Sequence, residues 1–330
     1  MDTDIKRFEK SYKKELQLIE KTFAKLYANK SPYSLYEPIN YILRGGGKRI
    51  RPFLLLCSAH AAGAGYAKVR NASIAVEILH NFTLVHDDIM DNACKRRGRE
   101  TLHIRNGVDT AILAGDVMTA LAYESLLKDC GANSKNVLSL FTKGILEVCE
   151  GQGLDKDFET RTDVSIDEYK VMIYKKTAAL IEMCCLAGAS LVNGRKAEIT
   201  ALGKYGKNLG MAFQIQDDLL DIIADEKELG KPVGGDLHEG KKTYLFLKAL
   251  EKASGKEKRM LNEAIKNKGV KRKDISRYKE LYLKLGIIDD AKKEIKYYTN
   301  KAVSSLNVIK RKEDAELLKW FALTLLQRNK

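Results

Sequence analysis

The chain has 330 residues, 45% of them hydrophobic and 31% charged, which is too apolar for a disordered protein and ordinary for a folded one. Its 58 Lys and Arg against 44 Asp and Glu give a formal net charge of +14, and about +11 of it falls in residues 251–330. This excess reads first as a lysine-rich solvated face on C-terminal helices. A basic surface can also attract nucleic acid, anionic lipid or diphosphate substrates, but no zinc-finger spacing, RNA-binding aromatic signature or sustained heptad supports nucleic acid.

The N-terminus, MDTDIKRFEKSYKKEL, is charged and amphipathic and lacks the apolar core of a signal peptide. Residues 1–30 read as one amphipathic helix. A break from Ser31-Pro32 through Pro38 follows, then a short helix to Leu43. Arg44 to Arg51 form a glycine-rich loop, and Pro52 suits the first position of the helix FLLLCSAHAAG. No proline occurs from Phe53 to Lys231, and Ala, Leu, Lys, Glu and Ile dominate there, so an unbroken helical series is expected. Helical patterning covers 70–92, 108–128, 135–153, 167–192 and 196–223, the fourth opened by a capping box at Ser165 and Glu168. Gly230 to Gly240 is a second glycine-rich loop. Helices are then predicted over Thr243–Ala253, 257–268, 274–284, 288–305 and 311–328. No linker separates domains, so residues 1–330 read as a single all-α domain. The most apolar stretch, Ala178 to Val192, is interrupted by Glu182 and too short to span a bilayer. Six scattered cysteines without C-x-x-C spacing favour free thiols in a reducing cytoplasm.

Two segments share one acid pattern, Asp-Asp-x-x-Asp: Asp87, Asp88 and Asp91, then Asp217, Asp218 and Asp221. On a helix the first and last acids lie on one face, where like charges repel unless a cation sits between them. Paired carboxylates suit Mg²⁺, which is commonly held by one or two carboxylates together with phosphate oxygens. His80 precedes Asp87 by nearly two turns, and Lys95, Arg96, Arg97 and Arg99 follow the motif directly. Arginine makes forked hydrogen bonds to phosphate. Lys48, Arg49 and Arg51 follow three glycines at a helix start, which favours anion binding but is not a Walker A loop. Gln214 is in phase with Asp217 and Asp221, Lys176-Thr177 lies mid-helix, and Lys231 and Lys241 flank the later loop. Each of these features singly has an ordinary reading as a basic turn, an acidic helix face or a surface lysine.

In this order and spacing, GGGKRIRP, LVHDDIMDNACKRRGRETLH, FQIQDDLLDI and GKPVGGDLHEGKKTYL resemble the trans-isoprenyl diphosphate synthases, or polyprenyl synthetases, over about residues 40–250. The resemblance implies an isoprenoid-synthase-type helical bundle around a deep central cavity, with both acid motifs at its mouth, in a homodimer. It implies that Lys48, Arg51, His80 and Arg97 bind isopentenyl diphosphate. Asp87 and Asp91, supported by Asp88, would hold two Mg²⁺ ions, and Asp217 of the second motif a third. Arg96, Lys176, Lys231 and Lys241 would contact the allylic diphosphate, and Thr177 and Gln214 would lie near the allylic carbon. Bulk just before the first motif limits product length in such enzymes. Phe82 with Thr83 resembles the geranylgeranyl type, farnesyl synthases of one type carrying aromatics at both places; this role comes from the resemblance and not from helical phase. Rivals remain at this stage: a terpene cyclase, which has no use for Lys48 and Arg51; a silent partner subunit, which tends to lose such aspartates; and a basic membrane- or nucleic-acid-binding scaffold.

Overall fold

In a computed structural model of the chain, residues 2–131, 134–224 and 233–326 are described. The helices are α1 (Asp2–Phe23), α2 (Tyr33–Leu43), α3 (Ile50–Ala61), α4 (Arg70–Met90), α5 (Leu102–Asn106), α6 (Val108–Leu127), α7 (Ser134–Thr160), α8 (Ile166–Ile173), α9 (Ala179–Leu191) and α10 (Lys196–Ile223). They continue with α11 (Gly235–His238), α12 (Tyr244–Lys252), α13 (Gly255–Lys266), α14 (Ile275–Lys284), α15 (Ile287–Ser305) and α16 (Lys312–Leu326). The fold is all-α, as the sequence predicts. Its described strands are the two-residue β1 (Lys95–Arg96) and β2 (Arg99–Glu100), an antiparallel hairpin.

Three local expectations need correction. Tyr33 opens α2, so Pro38 lies inside the helix and is buried instead of marking a break. The third helix starts at Ile50, which puts Pro52 in its first turn but not at its first position. Proline is tolerated there because the N–H groups of a first turn have no helical partner to lose. The stretch 167–192 is not one regular helix: a π turn over Tyr174–Ala178 separates α8 from α9. By contrast, the capping box at the start of α8 is present, the Ser165 side chain accepting from the Glu168 N–H while the Glu168 carboxylate accepts from the Ser165 N–H.

The chain divides into two compact units, each discontinuous in sequence: residues 1–142, 183–203 and 308–320, and residues 143–182, 204–307 and 321–330. In unit one, α4 packs along α6, with α3 against α4 and α2 and α5 against α6. Most of α4 from Ala72 to Leu79 is buried, which explains its nearly continuous apolar sequence. Among the described residues, α6 is the helix long and apolar enough to cross a membrane. Its Ala111, Ala114, Met118, Leu121 and Ala122 are buried, and α4 is its main neighbour. In unit two, α12 packs on α8, α13 and α15. The core there joins Tyr169, Met172, Ile215, Leu219, Phe246 and Tyr282. Burying each such side chain contributes roughly 1.5–3 kcal/mol, and this core anchors the helices that carry the second acid motif.

Candidate active site

In unit one, three short segments meet around cations. The loop after α2 passes through Gly46 and Gly47, both at positive φ, to Arg49, and α3 begins at Ile50. Lys48 is exposed on this loop, and its carbonyl accepts the Tyr12 hydroxyl. The hairpin after α4 turns at Arg97 and Gly98, with φ of 53° and 75°. Its Arg97 side chain reaches back to the loop and donates to the Gly46 carbonyl. Gly47, at φ 138°, holds a backbone conformation that favours glycine, and its Cα side faces the Arg97 guanidinium, 2.8 Å from where a Cβ would sit.

Arg51 of α3 donates to His80 Nε2 on α4 at 3.1 Å. Burial, then the guanidinium of Arg51 and those of Arg97, Arg96 and Arg49, hold the His80 pKa well below the ordinary histidine range. The neutral ring therefore carries its proton on Nδ1, which has no hydrogen-bond partner among the described residues and can donate to an oxyanion. Thr83 bonds back to the His80 carbonyl at 2.8 Å, and the half-buried Phe82 meets the His86 ring edge-on, centroids 4.9 Å apart.

The three acids of the first motif differ. Asp91 is exposed just past α4, and Asp87 is half-buried one turn before it. Asp88 is buried at 3% exposure and takes Arg96 Nε at 2.7 Å, while Arg96 Nη2 lies 3.7 Å from Asp87. Burial pushes the Asp88 carboxyl above its usual range and Arg96 pulls it back. The structure thus brings together Arg51 with His80, Arg97 with the glycine loop, and Arg96 with the first acid motif.

In unit two, the π turn sets the remaining residues. A Cβ on Gly151 of α7 would lie 2.2 Å from the Lys176 backbone nitrogen, so the backbones touch there. Lys176 Nζ binds Asp155 at 2.5 Å, and Thr177 Oγ1 donates to Gln214 Oε1 at 2.8 Å. Gln214 Nε2 donates onward to Asp218 at 3.0 Å. Asp218 also accepts the Tyr169 hydroxyl and, at 3.0 Å, the Tyr244 N–H. Burial, followed by the charge of Asp236, raises the Asp218 pKa to about 7, against the lowering pull of these donors.

The expectation that Asp217 and Asp221 present paired carboxylates needs revision. Asp217 is exposed, but Asp221 is 1% exposed and accepts the Asp236 N–H at 3.1 Å, while its carbonyl accepts Gly234 N–H at 2.6 Å. Asp221 therefore ties the chain at Gly234–Asp236 to α10. Lys241, half-buried, pairs with Glu239 at 2.9 Å, whereas Lys231 lies outside the described residues. Sequence reasoning overlooked Asp155, Tyr169 and the acidic partners of Arg49, Glu20 and Glu77. An isolated acid or tyrosine in a helical pattern carries no local signal of the group it meets.

The polyprenyl synthetase family model matches residues 32–282. The chain is 42% identical over 306 residues to a geranylgeranyl diphosphate synthase of Saccharolobus solfataricus, covering 90% of this chain and 91% of that one. It is 44% identical over 253 residues to a short chain isoprenyl diphosphate synthase of Methanocaldococcus jannaschii, covering 76% of each. Among solved structures, geranylgeranyl pyrophosphate synthetase from Pyrococcus horikoshii superposes with a TM-score of 0.91 at 37% identity, over 98% of this chain and 99% of that one.

Proposed function

The chain belongs to the polyprenyl synthetase family, and from that premise we propose that it condenses isopentenyl diphosphate with allylic diphosphates, head to tail, to make geranylgeranyl diphosphate. The observation that carries this reading is the meeting of acid and cation in unit one. Arg96 grips Asp88 beside the more open Asp87 and Asp91, on the hairpin whose Arg97 reaches the Lys48 loop.

Among the described residues no three acidic, histidine or cysteine side chains form a ready-made cation cage. Mg²⁺ is commonly held by one or two carboxylates, with phosphate oxygens and water completing its shell. Asp87 and Asp91 would hold two ions and Asp217 a third, leaving Asp88, Asp218 and Asp221 to position them. Metal held by these carboxylates would supply positive charge to the departing diphosphate. Arg96, Lys176 and Lys241, with Lys231, add fixed positive charge to that same leaving group. Lys48, Arg51, Arg97 and the His80 Nδ1–H hold the isopentenyl diphosphate, so its double bond is oriented toward the allylic carbon. The allylic C–O bond breaks and pyrophosphate leaves with the electron pair. The isopentenyl double bond then forms the new C–C bond, and the proton lost from the adduct passes to the pyrophosphate. Thr177 and Gln214 offer oxygen dipoles to the cation. Apolar walls must exclude water, which would otherwise trap it.

The test is incubation of the purified chain with isopentenyl diphosphate and each allylic diphosphate in turn, followed by chromatographic sizing of the products. A twenty-carbon product that disappears with a Mg²⁺ chelator is expected. A fifteen-carbon end product selects the farnesyl alternative, and absence of pyrophosphate release overturns the reading. Phe82→Ala is expected to lengthen the product, and an unchanged product profile removes Phe82 from the length-setting role. We also propose a homodimer, supported by the exposed Ile104, Val108, Ile112 and Leu113 of α5 and α6; light scattering at the protomer mass would refute it. We further propose a cytoplasmic location, supported by six scattered cysteines without C-x-x-C spacing.

A further inference from the structure

Arg49 lies between two cations of the diphosphate grip yet faces the other way. Lys48 before it is exposed and Arg51 after it meets His80, whereas the Arg49 side chain is 0% exposed. Its guanidinium makes four hydrogen bonds. Nε and Nη2 donate to Glu20 of α1 at 2.7 and 3.2 Å, Nη1 to Glu77 of α4 at 2.7 Å, and Nη2 also to the Leu43 carbonyl at the end of α2 at 2.8 Å. The Phe23 ring lies against it, its centroid 4.9 Å from Cζ. Glu77 is itself buried and is held by Asn81, whose Nδ2 donates to the Glu77 carbonyl at 2.7 Å. One side chain thus ties the loop to three helices.

The backbone at Arg49 is left-handed, with φ 44° and ψ 41°, at the start of α3. Arginine disfavours that conformation, so the surroundings must impose it. Charge adds a second argument. Arg51, Arg96 and Arg97 crowd around His80, and the carboxylates of Glu20 and Glu77 offset the repulsion among these cations before any diphosphate arrives. Glu77 is also three residues before His80, one turn away on α4, so the same ion group fixes both the loop and the helix that carries the histidine.

Resting on the prenyl-transfer reading, we propose that Arg49, with Glu20 and Glu77, is a positioning group for isopentenyl diphosphate: it holds residues 45–51 in the one backbone path that presents Lys48 and Arg51 together. It does not touch the substrate.

Three variants of the full chain test this through the split between two Michaelis constants. Arg49→Gly accepts the left-handed backbone but removes the clamp. Its KM for isopentenyl diphosphate should rise about tenfold or more, with the KM for the allylic diphosphate within about twofold of wild type. Arg49→Lys should not rescue, because an ammonium cannot span Glu20, Glu77 and Leu43 at once. Glu20→Gln, at the more exposed partner, keeps the fold and should raise the same KM about threefold; it decides the matter if Arg49→Gly does not fold. Unchanged KM for isopentenyl diphosphate in Glu20→Gln and Arg49→Lys overturns the inference while leaving the prenyl-transfer reading intact. So does an equal rise in both constants together with a lower melting temperature, which marks a general structural role. A wild-type chain that consumes no isopentenyl diphosphate sinks the reading and the inference together.

Discussion

The two Asp-Asp-x-x-Asp segments are alike in letters and unlike in surroundings. In the first, two acids remain open or half-open and only Asp88 is buried, against a single guanidinium. In the second, Asp217 alone is exposed, while Asp218 and Asp221 accept N–H and O–H donors from Tyr169, Gln214, Tyr244 and Asp236. A repeated motif therefore does not mean a repeated task. The first segment leaves two carboxylates at least partly exposed, and the second leaves one exposed and buries the other two against donors of its own neighbourhood. That asymmetry agrees with the proposed ligand set of Asp87, Asp91 and Asp217.

The comparison breaks most sharply at the open acids. Asp87→Ala, Asp91→Ala and Asp217→Ala should each lower kcat by roughly 10²–10³-fold with little change in melting temperature. If Asp217→Ala instead unfolds the chain, the division between open and committed acids is wrong. Next comes the buried network. Tyr169→Phe removes a hydroxyl donor from the Asp218 carboxyl and should cost roughly 1–3 kcal/mol in urea unfolding, with Asp87 chemistry unaffected. A neutral result would mean that Asp218 does not need its tyrosine.

The cation-rich surroundings of the first segment predict a pH effect opposite in sign to the one that the raised Asp218 gives the second. The folded-state pKa of His80 is depressed by burial and by the arginines, so below the ordinary value near 6.5 the unfolded chain takes up a proton that the folded chain refuses. Stability from this group is present above that value and is lost as pH falls toward the folded pKa. Wild type should lose more unfolding free energy on acidification than His80→Asn does, and parallel curves would remove His80 as the cause. The smallest effect is expected at the start of α8, which carries Tyr169. Ser165→Ala deletes one half of the capping box and should cost about 1 kcal/mol, read as a lower melting temperature with unchanged KM values.

Most of the helices were legible because their signals are local: apolar spacing, the Ser165–Glu168 box and a proline-free interval from Phe53 to Lys231. So were the candidate residues, since acids and arginines cluster in sequence. What escaped depends on partners far along the chain. Nothing near Asp221 announces that the Asp236 backbone will bury it, and nothing near Arg49 announces Glu20 or Glu77. The hairpin was missed because its strands are two residues long and its turn begins with Arg97, not with the asparagine or glycine that usually marks such turns. Pro38 misled for a related reason: one buried proline can sit in an early helical turn when packing holds the segment.

The π turn at Tyr174–Ala178 gives this chain an unusual sensitivity to length. A π turn holds one residue more than the α winding it interrupts, so excising one there would restore regular winding and rotate Lys176 and Thr177 relative to the flanking helices. Lys176 and Thr177 would then be offered to different neighbours than Asp155 and Gln214. No exchange of side chains reproduces such a rotation, which makes a one-codon deletion in this short stretch a graver lesion than most substitutions around it.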